Sequence, residues 1–360
     1  LAKTVAYRQN YLSYLLAALV VVIMGCGVAV SGSSQSFSLS GRTMGTSYSI
    51  KCWSDSPAAT NAVLQVAVDA LLNRINQQMS TYLPESELSQ FNRTTSGKWF
   101  EVSAETAYVC RQALQINQRT AGASDVTVGP LVQLWDFGPG RHQLGSKLEN
   151  PSAELIQQTR TRIGAEHLEV KLDPPALRKS KKALEVDLSS IAKGYAVDAV
   201  AELLAKRGVK NFMVEIGGEV RASGTRSDGQ PWRIGLEAPN LNERSIYKVI
   251  ALADQSLATS GDYRNFRIVD GKKVSHIIDP QTGRPLPYHG WSVTLLTPTC
   301  LEADALATAL LVMGEGQGYN WCVENKIAAL FLIREEAEIR ERATPQFLAL
   351  TTASSPVPTR

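Results

Sequence analysis

The sequence predicts an α+β fold, built mainly of antiparallel sheets with packed helices. Two observations carry that expectation. From Phe212 to Val269 strand signals follow one another with no helix between them, the pattern of antiparallel pairing. Elsewhere short strands intermix with helices, yet no GxGxxG follows a strand and opens a helix. Gly217-Gly218 is a two-glycine turn only, so a dinucleotide-binding parallel sheet has no support.

The elements follow in order. Lys3 and Arg8 precede a run without charge from Leu12 to Val30, the order of a secretory signal. The run contains Ile23-Met24-Gly25-Cys26, and a small residue before a cysteine resembles a lipoprotein processing site. An uncleaved anchor is the other reading, because about 20 apolar residues span a bilayer. Residues 1–25 are therefore a signal or anchor, 26–36 a flexible linker, and 37–342 one folded domain. Residues 343–360, rich in Thr, Ser and Pro, are expected to fray. Within the domain, Val63, Val66, Ala67, Ala70, Leu71 and Ile75 trace a helical stripe over Asn61 to Gln78. Ser103 can cap a second helix that stops near Gly122. A third is expected from Ser189 to Arg207, and a fourth from Glu302 to Val312, stopped by Gly314. Strands are expected at Ser47–Trp53, Leu168–Leu172, Phe212–Ile216, Trp232–Leu236, Tyr247–Leu252, Phe266–Val269 and Ser292–Thr297.

Composition narrows the function classes. The formal net charge is +3, and Lys3 and Arg8 supply two of those charges, so there is no electrostatic case for nucleic acid. Four histidines and five scattered cysteines, none spaced as CxxC, exclude a histidine-rich or cysteine-rich metal tract.

Five segments place polar residues where a plain scaffold has no need of them. Met44-Gly45 offers a soft apolar surface beside close backbone, suited to a flat ring, though a loop entering a strand explains it equally. Tyr82 closes a helix and is able to stack on an aromatic ligand or simply pack there. Ala123-Ser124-Asp125 forms an acidic turn before Gly129-Pro130, where Asp125 accepts hydrogen bonds from a ligand or caps the turn. Asp187 and Ser189 are N-cap types, so the amides after them and Lys193 suit a phosphate. Their alternative is a capped structural helix. The fifth segment combines Ser275-His276-Ile277-Ile278-Asp279-Pro280 with Glu302-Ala303-Asp304-Ala305-Leu306-Ala307-Thr308. Asp304 and Thr308, spaced i,i+4, share a helix face and are hard oxygen donors of the kind Mg²⁺ takes. His276 precedes a turn, where a base can point into a cleft.

Together these segments resemble the FAD:protein FMN transferase family, the ApbE-type flavin transferases, in order and over Phe37 to about Ile333. The resemblance implies a T-fold-like catalytic domain that takes FAD as substrate. It implies a flavin site at Met44, Tyr82, Ala123, Ser124, Asp125, Asp187, Lys193 and Ile278. It implies an Mg²⁺ site from Asp304 and Thr308, with backbone carbonyls of Ser190 and Ala307. The implied reaction moves FMN to a threonine, or a serine, of an acceptor protein and expels AMP. His276 is then the candidate base, and Asp279 orients it or the metal's waters. Losing Asp304 is expected to stop turnover and leave the fold intact. Implied acceptors resemble flavoprotein subunits of Na⁺-translocating NADH:quinone reductase or Rnf-type complexes. The implied location is the cell envelope, on the periplasmic face, anchored to the membrane through Cys26 or an uncleaved helix. An FAD pyrophosphatase giving FMN and AMP, and a flavin-binding lipoprotein without chemistry, are the competing functions.

Overall fold

The computed structural model describes residues 35–353 apart from 55–59, 139–146, 149, 241–244, 264 and 337. Cys26 and the Leu12 to Val30 run lie outside the described residues.

The chain opens with an antiparallel hairpin, β1 (Gln35–Thr43) and β2 (Thr46–Ser54), so the expected linker ends a residue or two early. Helix α1 (Asn61–Met79) is capped by the Thr60 hydroxyl and buries Leu64, Val68, Leu72 and Ile75, one stripe at helical spacing. Val63 and Val66, counted in the expected stripe, are instead 46% and 70% exposed. After it come α2 (Glu87–Arg93), β3 (Phe100–Glu101) and α3 (Ala104–Arg119), the last capped by Ser103 as expected. Short α4 (Gly129–Leu134), β4 (Lys147–Leu148) and α5 (Ala153–Arg160) lead to the hairpin β5 (Leu168–Leu172) and β6 (Pro175–Lys179). Helix α6 (Ala192–Lys206) is followed by the strands the sequence anticipates. These are β7 (Asn211–Ile216), β8 (Glu219–Ser223), β9 (Trp232–Glu237), β10 (Ile246–Leu252) and β11 (Gln255–Gly261). Then come β12 (Phe266–Val269), β13 (Lys272–Asp279), β14 (Arg284–Pro287) and β15 (Trp291–Thr297). Helix α7 (Cys300–Glu324), β16 (Ala328–Glu335), β17 (Glu338–Ala343) and α8 (Pro345–Ala353) complete the order.

Eight strands form one antiparallel sheet in the order β1-β2-β7-β8-β11-β15-β16-β17. Strand alternation gives it two apolar faces. Ile50, Val214, Leu295 and Phe331 point to one face, where α1, α6 and α7 pack. Leu257, Leu296, Leu330 and Leu332 point to the other, against β9, β10 and α8. A smaller sheet, β14-β13-β12-β4, and helices α4 and α5 enclose a third cluster around Trp135, Phe137 and Ile278. Its β12–β4 pair is parallel; the rest of the fold is antiparallel among the described strands.

Three expected boundaries shift. Helix α7 does not stop at Gly314; it kinks there, with Gly314 at φ 81° and ψ 164°, and resumes. Helix α6 starts at Ala192 rather than Ser189. The expected frayed tail is helical over Pro345–Ala353, because Phe347 is buried in the second apolar cluster and Thr344 Oγ1 receives the Ala329 N–H at 2.9 Å. No described helix is long and apolar enough to cross a membrane.

Candidate functional site

Helices α6 and α7 start side by side, and neither caps its own N-terminus: Ile191 and Thr299 make no side-chain cap bond. Each helix instead supplies a carboxylate to the other. Asp304 Oδ2 accepts the Gly194 N–H at 2.9 Å. Asp198 accepts the Cys300 and Leu301 N–H groups at 3.0 and 2.9 Å. The helices approach so closely that a Cβ on Gly194 would stand 2.3 Å from the Cys300 carbonyl oxygen. Orphan amides at helix starts favour anions, so both aspartates are held by hydrogen bonds and by the helix dipole.

Lys193 lies in the same first turn of α6. Its ammonium sits 2.7 Å from Glu219 Oε1 and 3.4 Å from Asp304 Oδ1. Burial opposes charge on Lys193, but Asp304 and Glu219 outweigh it and hold its pKa above the ordinary lysine value. Burial raises the pKa of Glu219 and of Asp304, and Lys193 opposes that rise in both. Glu219 Oε2 is buried with no hydrogen-bond partner. Glu219 follows the Gly217-Gly218 turn, whose φ values of 65° and 108° make a β7–β8 hairpin. Gly217 lies against Thr46, immediately after the Met44-Gly45 turn of the neighbouring hairpin. Met44 itself holds φ 49°, a conformation uncommon for a side-chain-bearing residue. Its turn is tied to α1 through Asn76 Nδ2 and Thr43 Oγ1 at 3.0 Å.

Thr308 lies one turn past Asp304 on α7, as its spacing predicts. Its hydroxyl is 3.2 Å from Ser260 Oγ on β11 and 3.4 Å from the Asp304 carbonyl. Ser190 stands in the turn that enters α6. Ala307 is buried within α7, so only its backbone carbonyl, with a lone pair beyond the helix ladder, can serve a ligand. Among the described residues no three His, Cys, Asp or Glu side chains converge as a metal site. The oxygen donors nearest one another on α7 are the Asp304 carboxylate, the Thr308 hydroxyl and backbone carbonyls. That hard-oxygen set fits Mg²⁺ with substrate phosphates completing it.

An open cleft is lined in part by the segment that leads into α6. Tyr82, Asn92, Arg93, Gln133 and Asp187 are among the residues that line it, with a volume of about 400 Å³. Tyr82 is 57% exposed, and its hydroxyl lies 3.5 Å from the Phe137 carbonyl. Phe137 in turn meets His276 edge-on, with ring centroids 6.5 Å apart. Tyr82 and His276 thus flank one aromatic residue. His276 is half-buried on β13, with Nδ1 3.1 Å from the Asn265 carbonyl.

Other expected site residues have structural partners. Asp187 Oδ1 accepts the Ser189 N–H at 2.9 Å, a local turn rather than a helix cap. Its backbone N–H bonds the Val126 carbonyl at 2.7 Å, which brings the 123–126 segment beside it. Asp125 Oδ1 accepts the amide and hydroxyl of Thr127, so it caps its turn; burial raises its pKa against those bonds. Ala123 and Ser124 are buried, and Asn117 Nδ2 donates to the Ser124 carbonyl at 2.7 Å. Ile278 packs its side chain into the third apolar cluster, leaving only its backbone for a ligand. Asp279 does not orient His276. Its Oδ1 accepts the Gln281 N–H at 2.8 Å, and three residues along a strand place the two side chains on opposite faces. Lys193 meets carboxylates, where the expectation was a phosphate contact.

Sequence reasoning passed over Glu219, Asp198 and Ser260. A signal for Asp198 existed: Gly194 and Asp198 repeat the i,i+4 spacing of Cys300 and Asp304. Glu219 was marked only by a charge beginning an apolar strand.

Known proteins resemble this chain in sequence and in fold. A sequence model of the ApbE family matches residues 44–331. An FAD:protein FMN transferase of Vibrio cholerae is 46% identical over 86% of this chain and 91% of its own length. One from Haemophilus influenzae is 39% identical, covering 94% and 98%. The solved flavin transferase ApbE of Vibrio cholerae superimposes with a TM-score of 0.79 at 44% identity, over 88% of this chain and all of that one. The apo flavinyl transferase ApbE of Pseudomonas stutzeri gives 0.80 at 35% identity, covering 90% and 98%.

Proposed function

Because the chain belongs to the ApbE family, we propose that it transfers FMN from FAD to a threonine, or a serine, of an acceptor flavoprotein and releases AMP. The carrying observation is the cluster Lys193, Glu219 and Asp304 at two helix starts, one carboxylate of it beside a hydroxyl one turn on. Its charges of both signs suit a cation and phosphate oxygens, and the cleft lined by Asp187, five residues before α6, carries an exposed tyrosine.

In this reading Tyr82 stacks on the flavin ring, and the Asp187 turn borders the diphosphate. Asp304, the Thr308 hydroxyl and the Ser190 carbonyl would hold Mg²⁺, which supplies Lewis-acid neutralisation of the charge that develops on the diphosphate. The acceptor hydroxyl forms a phosphoester bond to the FMN phosphorus while the bond to the AMP oxygen breaks. His276 takes the hydroxyl proton, and AMP leaves with the electron pair of the broken bond. Asp279 keeps the turn after β13, not the proton.

Cys26 is the lipidation site in this proposal, and the domain works at the periplasmic face of the envelope. The support is the charged start, the apolar run and the Gly25-Cys26 pair. Acceptors would resemble the flavoprotein subunits of Na⁺-translocating NADH:quinone reductase or Rnf-type complexes, as the family resemblance suggests. One assay tests the reaction: the full chain in detergent with FAD, Mg²⁺ and a candidate acceptor domain, followed by AMP release and acceptor mass. AMP together with an acceptor heavier by one FMN less one water is expected. AMP without the mass gain means a hydrolase, and unchanged FAD means a binder.

A further inference from the structure

We propose that Glu219 is a positioning residue that sets the site's affinity for a divalent cation, by giving the Lys193 ammonium a seat of its own so that Asp304 is released to the metal. The inference rests on the reading that Asp304 carries such a cation. Three observations lead to it. The ammonium is not shared evenly: it lies 2.7 Å from Glu219 and 3.4 Å from Asp304. Asp304 keeps Oδ2 on the Gly194 amide, so only Oδ1 is left to exchange one cation for another. Glu219 is 4% exposed, and its Oε2 has no partner, so it can take a second ammonium hydrogen without breaking another bond.

Charge accounting gives the consequence. Lys193 with Asp304 and Glu219 sums to one negative charge, and a divalent cation brings the group to one positive charge. Without Glu219 the same cation meets Lys193 with one carboxylate between them, and the group carries two positive charges. Repulsion between centres a few ångströms apart in a buried site is strong enough to change cation affinity by an order of magnitude.

The test is Mn²⁺ titration of the full-length, FAD-free protein, by calorimetry and by loss of the free-ion paramagnetic signal, with melting in chelator as the folding control. Glu219→Gln keeps the shape and removes the charge; Mn²⁺ affinity should fall roughly tenfold or more. Lys193→Met removes the competing cation and should raise affinity. The double variant should return to within about threefold of the unsubstituted protein, because the two charges cancel. If Glu219→Gln binds Mn²⁺ normally, or the double variant is no better than Glu219→Gln, the proposal is overturned. Should Glu219→Gln fail to fold, Lys193→Met decides alone, and unchanged or weaker binding refutes it. An unsubstituted protein that binds no Mn²⁺ sinks the metal reading itself, a result separate from any variant's behaviour.

Discussion

Asp304 does two jobs with one side chain: Oδ2 caps α6 through Gly194, and Oδ1 faces Lys193. Its loss should therefore weaken the folded state as well as turnover, while the fold itself survives. Asp304→Ala should lower turnover at least about a hundredfold, since several kcal/mol of charge stabilisation vanish and each 1.4 kcal/mol is tenfold. It should also cost about 1 kcal/mol of stability through the missing cap, read from the urea midpoint. Activity within a few-fold of normal would remove Asp304 from the metal site. His276 allows the opposite separation. Its Nδ1 lies 3.1 Å from the Asn265 carbonyl and its ring meets Phe137, both at the edge of the third apolar cluster rather than inside the main core. His276→Ala should slow FMN transfer about 10²–10⁴-fold and leave FAD affinity and melting temperature near normal. Joint loss of FAD binding and stability would make it a brace for its turn.

At the scale of elements, the exchange of aspartates between α6 and α7 explains why the site cannot drift. Each helix start is fixed by the other, and Gly194 sets the distance. Gly194→Ala places a methyl group 2.3 Å from the Cys300 carbonyl oxygen, a contact with rigid backbone. It should cost about 3 kcal/mol and depress activity with it, as measured by denaturant unfolding and AMP release on one preparation. A stable, active Gly194→Ala protein would mean the helices separate freely. Under the cleft wall, β6 ends in Lys179, which is 1% exposed and donates to the Asn92 and Leu184 carbonyls, both at 2.8 Å. Asn92 in turn clamps Val186 through both its amide atoms, so Lys179 holds two walls of the cleft. Burial pulls the Lys179 pKa from 10.5 to about 8, against the attraction of Glu185. Between those values the unfolded chain binds the extra proton, so this group's contribution makes stability rise with pH across that window. Unfolding midpoints across the window should rise less steeply in Lys179→Met than in the unsubstituted protein. Equal slopes would show that Lys179 is not the group responsible.

At the scale of the whole molecule, the sheet supplies the architecture, and the envelope address proposed above rests on Cys26. Cys26→Ser should release the protein from the membrane fraction or block its processing, because acylation needs the thiol; unchanged association and mass favour an uncleaved helix. Much of the architecture was written locally. The Leu64 to Ile75 spacing makes a helix whatever surrounds it, and the uninterrupted strand signals from Phe212 onward allow little but antiparallel pairing. The i,i+4 spacing of Asp304 and Thr308 put both on one face, and α7 keeps them one turn apart. Interactions remote in sequence were not legible, because nothing in the pattern near one partner specifies the other. Asp187 and Ser189 have the chemistry of caps, yet α6 starts later and takes its cap from Asp304, 110 residues on. Phe347 looked like part of a loose tail until the second face of the sheet supplied a surface to bury it. Glu219 was only a charge at the head of a strand until α6 brought an ammonium within 2.7 Å. The sequence by itself determined most of the element types and the family, because periodicity and side-chain chemistry are local properties. The tertiary structure decided which carboxylates cap a helix and which pair with an ammonium, because a buried charge takes its role from whatever packs against it.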